Sequence, residues 1–506
     1  MSFSLLAGPA NAGKVALLLE RYLERLDDEP FLIVPTRSDI DRVERDLLRR
    51  SGCLFGGSIG TFDDLFERIA RTDPNRRGVA TELQRIFLAR RAVEATRPRL
   101  DDLARSARFG GFLDTLLATL AELESGLVDP DDLSGELAEL YAAYRAELDR
   151  LDLWDRNILR RRAAERVAAD FDAWHGEPLF AYGFEDLTAA EWSLLEALAG
   201  RADVQVSLPY EPGRVAFASL QRTAEDLASL SGGRAEELPA RFGEYAAPAL
   251  AHLERTLFEP APAQSESRGA VRLVEGAGTR GTLELVASEL LSLLRQGTPA
   301  DQIALVVPSV ERWRAPLDTV LSSAGVPYTV EGRVRLGATP LGQALQSLLR
   351  FAWTGADRRE LYAFLRSPYS GLSRGSVDFV EGRLRGRAVQ GAERVEEETE
   401  RLREAPLVAL RELRAAATPL EAVRALLQSM VRAAYGLESP PVGEASRVDL
   451  RCYAAVTALL DELEGWAELG ADDLLLALER LDVAVAAAGE PGRVAVLDLL
   501  RARTRR

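Results

Sequence analysis

Apolar residues recur at two different periods along this chain, and the alternation of the two predicts an α/β protein. Short apolar runs typical of strands occur at 2–6 and 31–34. Each is followed by a stretch with apolar residues at helical spacing, at 15–26 and 38–50, and a third strand–helix pair begins near residue 56. A βαβα order of this kind predicts a parallel sheet covered by helices.

Two long helical stretches interrupt the strand pattern. Residues 81–171 and 341–488 are rich in Ala, Leu and Arg at helical spacing and carry little strand signal. A stretch rich in Pro, Ala, Ser and Gln at 259–270 predicts a linker. The remaining strands are predicted at 179–182, 204–208, 271–274, 303–307, 328–330 and 493–497.

The pattern therefore predicts two parallel-sheet domains, each interrupted by a large helical insertion. The predicted segments are 1–80 with 172–258 for the first domain, 81–171 for its insertion, 259–270 for the linker, 271–340 with 489–506 for the second domain, and 341–488 for its insertion. The sequence stops one strand into the returning second sheet, so we expect that sheet to be incomplete and the chain to be a fragment.

Composition narrows the class of protein. The 506 residues include 47% hydrophobic side chains, without any apolar run of the length that spans a bilayer. With no basic leader either, the sequence predicts a cytoplasmic protein without membrane contact. Cys53, Cys452, His175 and His252 lie too far apart to form a disulfide framework or a metal site. The net charge of −16 argues against unfocused nucleic-acid binding but allows a local basic surface.

Lys14 is the only lysine among the 63 basic residues, and it ends the run Gly8-Pro9-Ala10-Asn11-Ala12-Gly13-Lys14. This is the spacing of a phosphate-binding loop, and it lies between a predicted strand and a predicted helix. Such a loop aims backbone N–H groups and a positive helix end at an anion. The candidate nucleotide-binding residues are Gly8, Asn11, Ala12, Gly13, Lys14 and Val15. A plain glycine turn is the alternative.

Val15 departs from the loop motif, which has Ser or Thr after the lysine to hold Mg²⁺. A valine side chain has no oxygen that could bind a metal ion. The loop therefore predicts that ATP is a possible ligand whose hydrolysis is weak or absent, and it leaves the role of Mg²⁺ open.

The order of domains resembles that of superfamily 1 DNA helicases, in which two RecA-like domains each carry a helical insertion. The segments that carry the resemblance, besides the loop, are 33–37, 60–65, 303–314 and 325–328. The resemblance implies that Thr36, Arg37, Thr61 and Phe62 lie along single-stranded DNA. It also places Arg314 at the position of an arginine that reaches the nucleotide phosphates. Phe62 could stack on a base or belong to the core.

Within that superfamily, the segments 182–188, 206–211 and 365–369 resemble the AddB-type subunit of bacterial AddAB helicase–nucleases. The resemblance implies a DNA-repair role in a heterodimer with an active AddA-type motor subunit. An AddB-type nuclease needs a lysine beside its acids and an iron–sulfur cluster needs four cysteines. This sequence offers neither, so the nuclease would lie beyond residue 506.

The strand that ends at Tyr182 also departs from an active motor, which would continue directly with Asp-Glu. Here Gly183-Phe184 intervene before Glu185-Asp186, and we expect these two acids to cap the next helix. Together with Val15, this favours a DNA-binding subunit with a degenerate ATP site. An active ATP-dependent translocase and a helical assembly scaffold with a relic loop are the alternatives.

Two groups of arginines are the remaining candidates for DNA contact. The first arginine cluster comprises Arg156, Arg160, Arg161, Arg162 and Arg166. The second arginine cluster comprises Arg374, Arg383, Arg385 and Arg387. Each cluster predicts either a solvated helix face rich in salt bridges or a series of phosphate contacts along a DNA channel.

Overall fold

The computed structural model describes residues 2–109, 111–233, 235–330, 332–436, 443–464, 466, 469–484 and 492–502. The chain forms two compact units, residues 1–273 and 274–506. Residues 257–277 contain no helix or strand, so the irregular segment extends beyond the predicted linker at 259–270. None of the described helices is long and apolar enough to cross a membrane.

The first unit is built on a parallel sheet. Its strands are β1 (Phe3–Gly8), β2 (Phe31–Ile33), β3 (Ser58–Gly60), β4 (Gly78–Val79), β5 (Leu153–Trp154), β6 (Leu179–Ala181), β7 (Val204–Pro209) and β8 (Ala235–Glu237). Six of them pair in the order β3-β2-β6-β7-β1-β8, and all of these pairs are parallel. This confirms the α/β class. β8, an edge strand with exposed residues, was not predicted.

The helices of the first unit lie on both faces of this sheet, in the predicted insertion and after β8. They are α1 (Lys14–Glu24), α2 (Arg37–Ser51), α3 (Phe62–Ala70), α4 (Glu82–Thr96), α5 (Gly111–Ser125), α6 (Glu136–Arg150), α7 (Arg156–Ala169), α8 (Ala189–Ala199), α9 (Gln221–Leu230), α10 (Phe242–Tyr245) and α11 (Pro248–Thr256). Because strand side chains alternate, Leu5 and Ile33 pack against α3, α7 and α8, whereas Leu6 and Leu32 pack against α1 and α2. Helices α4 to α7 lie within the predicted insertion, with β4 and β5 as a small parallel pair.

The second unit contains a smaller sheet with a larger set of helices. Its strands are β9 (Ala304–Val307), β10 (Tyr328–Val330), β11 (Arg333–Arg335), β12 (Asp482–Ala484) and β13 (Val494–Asp498). Three strands pair in parallel in the order β10-β13-β9, and β11 and β12 form an antiparallel pair. The late strand β13 returns to this sheet, as predicted, and the structure places it between two earlier strands.

The helices of the second unit fall mostly between β11 and β12. They are α12 (Gly278–Arg295), α13 (Val310–Ala324), α14 (Pro340–Thr354), α15 (Arg358–Leu365), α16 (Arg374–Gly386), α17 (Ala392–Arg403), α18 (Val408–Ala415), α19 (Pro419–Tyr435), α20 (Glu444–Leu463), α21 (Ala471–Arg480) and α22 (Leu499–Ala502). Helices α12 and α13 pack on the β10-β13-β9 sheet, and α14 to α21 form the second insertion.

The predicted strand at 271–274 is wrong. The segment is rich in apolar residues, but no described strand pairs with it, and Leu273 is 94% exposed. A strand is stabilised by hydrogen bonds to a neighbouring strand, and a short apolar run alone does not supply that neighbour.

Candidate functional site

The phosphate loop leads from β1 directly into α1, and its backbone depends on glycine at two positions. A Cβ on Gly8 would lie 2.8 Å from the carbonyl oxygen of Leu238, so a side chain does not fit there. Gly13 starts α1 in the left-handed region at φ 91°, and Asn11 is left-handed as well at φ 58°. No acidic residue lies in the first turn of α1, so its positive end is not neutralised within that turn.

The Lys14 side chain is folded back onto this loop. Its Nζ donates hydrogen bonds to the carbonyl oxygens of Gly8 at 2.8 Å and Pro9 at 2.5 Å. Only 7% of the residue is exposed, and this burial lowers the pKa of Lys14 to about 8. A phosphate that binds the loop would compete with the two carbonyls for the ammonium group.

Val15 and the residues after β6 are the two positions at which the resemblance implies that side chains for Mg²⁺ are missing. The Val15 side chain packs against the core between the sheet and helices α1 and α2. Gly183, at φ 82°, lies so close to Pro35 that a Cβ would come within 2.5 Å of the proline Cγ. Phe184 follows it and packs against Phe62. Neither position offers a side-chain oxygen for a metal ion.

The expected role of Glu185 and Asp186 as helix caps is wrong. Thr188 caps α8, and its backbone N–H donates to Glu191 Oε2 at 2.8 Å while Glu191 N–H donates to Thr188 Oγ1 at 3.3 Å. Asp186 instead accepts a hydrogen bond from the N–H of Leu187. The reciprocal Thr-x-x-Glu cap is the stronger signal, since it satisfies two helix-end groups at once.

The structure brings Thr36, Arg37 and Thr61 together at one edge of the sheet. Their strands, β2 and β3, are parallel neighbours, so the residues that follow both strands meet at the same edge. Thr36 begins α2, and its hydroxyl donates to Asp39 at 2.7 Å. Thr61 begins α3 in a reciprocal cap with Asp64, which also pairs with Arg37 at 3.2 Å. The Arg37 side chain is 81% exposed.

The acids that position these residues were not identified from the sequence. Asp39 and Asp64 each follow a helix-starting threonine by three residues, and this spacing is the signal that could have identified them. Both acids hold a threonine of the candidate site in place.

Phe62 lies in the core. It is 4% exposed, and its ring contacts those of Phe184 at 4.8 Å and Phe66 at 6.4 Å between centroids. Stacking on a base needs an exposed ring face, so the structure supports the core alternative for Phe62. Any DNA contact at this sheet edge would then come from the neighbouring residues Thr36, Arg37 and Thr61.

We expect Phe62→Leu to cost about 1 kcal/mol of stability, since it conserves an apolar shape. We expect its affinity for single-stranded DNA to stay within about twofold of the wild type, because the buried ring is not available to a base. Chemical denaturation and fluorescence anisotropy measure the two quantities. A large loss of affinity with unchanged stability would assign the ring to DNA instead.

Most members of the two arginine clusters are engaged in ion pairs. In the first arginine cluster, which lies on α7, Arg160 binds Asp63 at 2.6 Å and Arg161 binds Asp129 at 2.8 Å. Further ion pairs of these arginines are Arg156–Asp63, Arg161–Glu165, Arg162–Glu165, Arg166–Asp170, Arg374–Asp378, Arg385–Glu381 and Arg387–Glu398. These pairs support the salt-bridged alternative for the first arginine cluster.

Arg314 belongs to the second unit. It lies on α13, and its Nε is 3.4 Å from Asp318 one turn along the helix. Its Nη1 is buried without a hydrogen-bond partner among the described residues. Its contact with a nucleotide stays a prediction.

Comparison with known proteins gives an independent line of evidence. No family model matches the chain. AddB-type proteins, named as the B subunits of ATP-dependent helicase/deoxyribonucleases, match about three quarters of it. Those from Desulforudis audaxviator, Pelotomaculum thermopropionicum and Desulforamulus reducens are 27%, 24% and 22% identical over 78%, 78% and 77% of this chain. The chain is related to the AddB-type subunits. It spans 37% of the length of each of these three AddB-type relatives.

Proposed function

We propose that this chain is the helicase-like part of a DNA-binding subunit in a helicase–nuclease complex that processes double-strand breaks. The observation that carries the proposal is a glycine loop between β1 and α1 that buries Lys14, combined with Val15 and Gly183-Phe184 at the two positions where the resemblance implies side chains for Mg²⁺. The names of the AddB-type relatives support the same class of complex.

In this proposal ATP binds the loop through its phosphates. The backbone N–H groups of the loop and of the first turn of α1 would face the phosphates, and the Lys14 ammonium would exchange its two carbonyl partners for phosphate oxygens. With no metal-binding side chain at the two positions, hydrolysis would be weak or absent, and Mg²⁺ would arrive, if at all, with the nucleotide.

Single-stranded DNA would follow the edge of the sheet marked by Thr36, Arg37 and Thr61. Arg37 is the charged group there, and a phosphate would compete with Asp64 for it. An AddA-type motor would supply the force for translocation as the other subunit of a heterodimer.

Affinity for single-stranded DNA should fall steeply with salt, by about tenfold or more between 50 and 200 mM, because a few neutralised phosphates release their counterions. Fluorescence anisotropy with a labelled oligothymidine over a salt series measures this. Binding that is absent at low salt, or that does not change with salt, would contradict the proposal. Phosphate release stimulated by DNA would instead favour the active translocase.

A further inference from the structure

Helix α16 presents an aromatic ring to solvent in an unusual setting. Phe379 is 59% exposed, and the guanidinium of Arg383, one turn later, lies over its ring at 5.1 Å from the centroid. The other helix-surface neighbours of Phe379 are Gly375, Ser376 and Gly382. Where a Cβ would stand on either glycine, no atom lies within 4 Å. The ring is therefore open to a planar partner.

The glycines have no role inside the helix that explains them. Glycine is the poorest helix former after proline, so two glycines on an exposed helix face weaken α16. Neither Gly375 nor Gly382 has a positive φ or a close neighbour that would exclude a side chain. What they do provide is free space around the Phe379 ring.

Residues 374–387 carry four arginines against two carboxylates, Asp378 and Glu381, although the chain as a whole is strongly negative. Three carboxylates on and beside α16 are each shared by two arginines. The pairs are Asp378 with Arg366 and Arg374, Glu381 with Arg366 and Arg385, and Glu398 with Arg387 and Arg401. Arg383 adds a further cation, held by the ring. The excess of positive charge beside the exposed ring therefore belongs to residues 374–387, whereas the adjoining α17 carries five glutamates and three arginines.

We propose that Phe379 and Arg383 form a stacking platform for a base of single-stranded DNA, with the surrounding arginines of α16 contacting its phosphates. An aromatic ring inside a basic surface is the combination with which proteins hold single strands independently of sequence, because every base has a flat face. The arginine on the ring adds a cation–π contact. A duplex keeps its bases stacked on one another and cannot use the ring. This inference rests on the DNA binding proposed above and assigns one part of the DNA-binding surface to α16.

The test compares Phe379→Ala with wild type by fluorescence anisotropy on labelled oligothymidine and on a duplex of equal length. We expect Phe379→Ala to weaken single-strand binding about fivefold to tenfold, which is at the lower end of the loss of affinity expected when one stacked base is lost. Duplex binding should stay within about twofold of wild type. Phe379→Trp should keep or raise the affinity. Phe109→Ala is the matched control, since Phe109 is 65% exposed in the first unit.

A second variant reports on the space around the ring. Gly382→Leu should strengthen the helix while its side chain covers the Phe379 ring, so we expect single-strand affinity to fall without loss of thermal stability. If wild type binds single strands and both variants match it, the platform is overturned while the proposed function stands. Equal losses on single strand and duplex would show phosphate contact without stacking. If wild type binds no single strand, the proposed function fails as well.

Discussion

Lys14→Met should lower the affinity for ATP by roughly tenfold to a hundredfold while the protein stays folded. A charge-assisted hydrogen bond to a phosphate contributes about 1.5–3 kcal/mol, and methionine has no donor with which to make it. The fold should persist because the two carbonyls that Lys14 binds also accept backbone hydrogen bonds. The N–H of Tyr210 donates to Gly8 O at 3.0 Å, and that of Ala12 to Pro9 O at 3.3 Å. Isothermal titration calorimetry measures the affinity.

The pH dependence of ATP binding gives the same prediction a second readout. The lowered pKa of about 8 means that a growing fraction of free loops carries a neutral Lys14 as the pH rises above 8. A bound phosphate favours the charged form, so binding above pH 8 must take up a proton and becomes weaker. We expect the wild-type affinity to fall about tenfold or more between pH 7.5 and 9.5, and that of Lys14→Met to stay nearly constant.

Arg21→Met is the matched control on the same helix. Arg21 forms an ion pair with Glu236 at 2.8 Å, which lies partly in solvent and contributes little. We expect this variant to bind ATP as wild type does. Equal ATP affinity in wild type and Lys14→Met would remove the loop from the nucleotide site.

Glu124→Gln should stabilise the first helical insertion by about 1–3 kcal/mol at pH 8. Glu124 on α5 and Asp155 at the start of α7 are both almost completely buried. Asp155 Oδ1 accepts from the N–H groups of Asn157 and Ile158, and Glu124 Oε2 accepts from Asn157 Nδ2 at 2.9 Å. Their second oxygens, Glu124 Oε1 and Asp155 Oδ2, have no hydrogen-bond partner among the described residues.

A proton on Glu124 would give the unpaired oxygens of Glu124 and Asp155 a hydrogen bond between them. Two buried carboxylates repel each other, whereas a protonated Glu124 can donate to Asp155 and gives it a partner. Burial, followed by the negative charge of Asp155, raises the pKa of Glu124 to about 9. The hydrogen bond from Asn157 and the charge of Arg85 lower the pKa of Glu124 without cancelling this rise. Arg145 lies 4.0 Å from Glu124 Oε1.

The sign of the pH effect follows from the raised pKa. In the unfolded chain the carboxyl loses its proton near its ordinary value of 4.5, whereas the folded protein keeps the proton up to about pH 9. Between these values the folded state holds an extra proton, so stability falls as the pH rises. Glutamine keeps an N–H donor for Asp155 and does not titrate, so it removes this loss.

Urea unfolding at pH 6, 7 and 8, followed by hydrogen exchange of α5 and α7, measures the effect. We expect the stability of wild type to fall across this range and that of Glu124→Gln to change much less. Glu122→Gln, an exposed position on the same helix, is the control and should behave as wild type. A destabilised Glu124→Gln with an unchanged pH slope would show that Glu124 is charged in the folded protein.

Local patterns in the sequence were sufficient to predict most strands and the loop between β1 and α1. Apolar periodicity predicted the strands β1, β2, β6, β7, β9, β10 and β13 to within a few residues. The apolar pattern on either side of Gly8 and Lys14 predicted a strand before the loop and a helix after it, and the structure contains both. These features depend on residues within a few positions of one another, so a single stretch of sequence carries the information.

Other features depended on residues that are far apart in sequence, and only the tertiary structure decided them. Phe62 is core because Phe184, more than a hundred positions later, packs on it, and Arg160 is neutralised by Asp63, which lies 97 positions earlier. The segment 271–274 has the composition of a strand but finds no partner among the described strands. Burial, ion pairing and strand pairing are relations between distant residues. The pattern around one residue determines its backbone preference, and the fold determines what that residue touches.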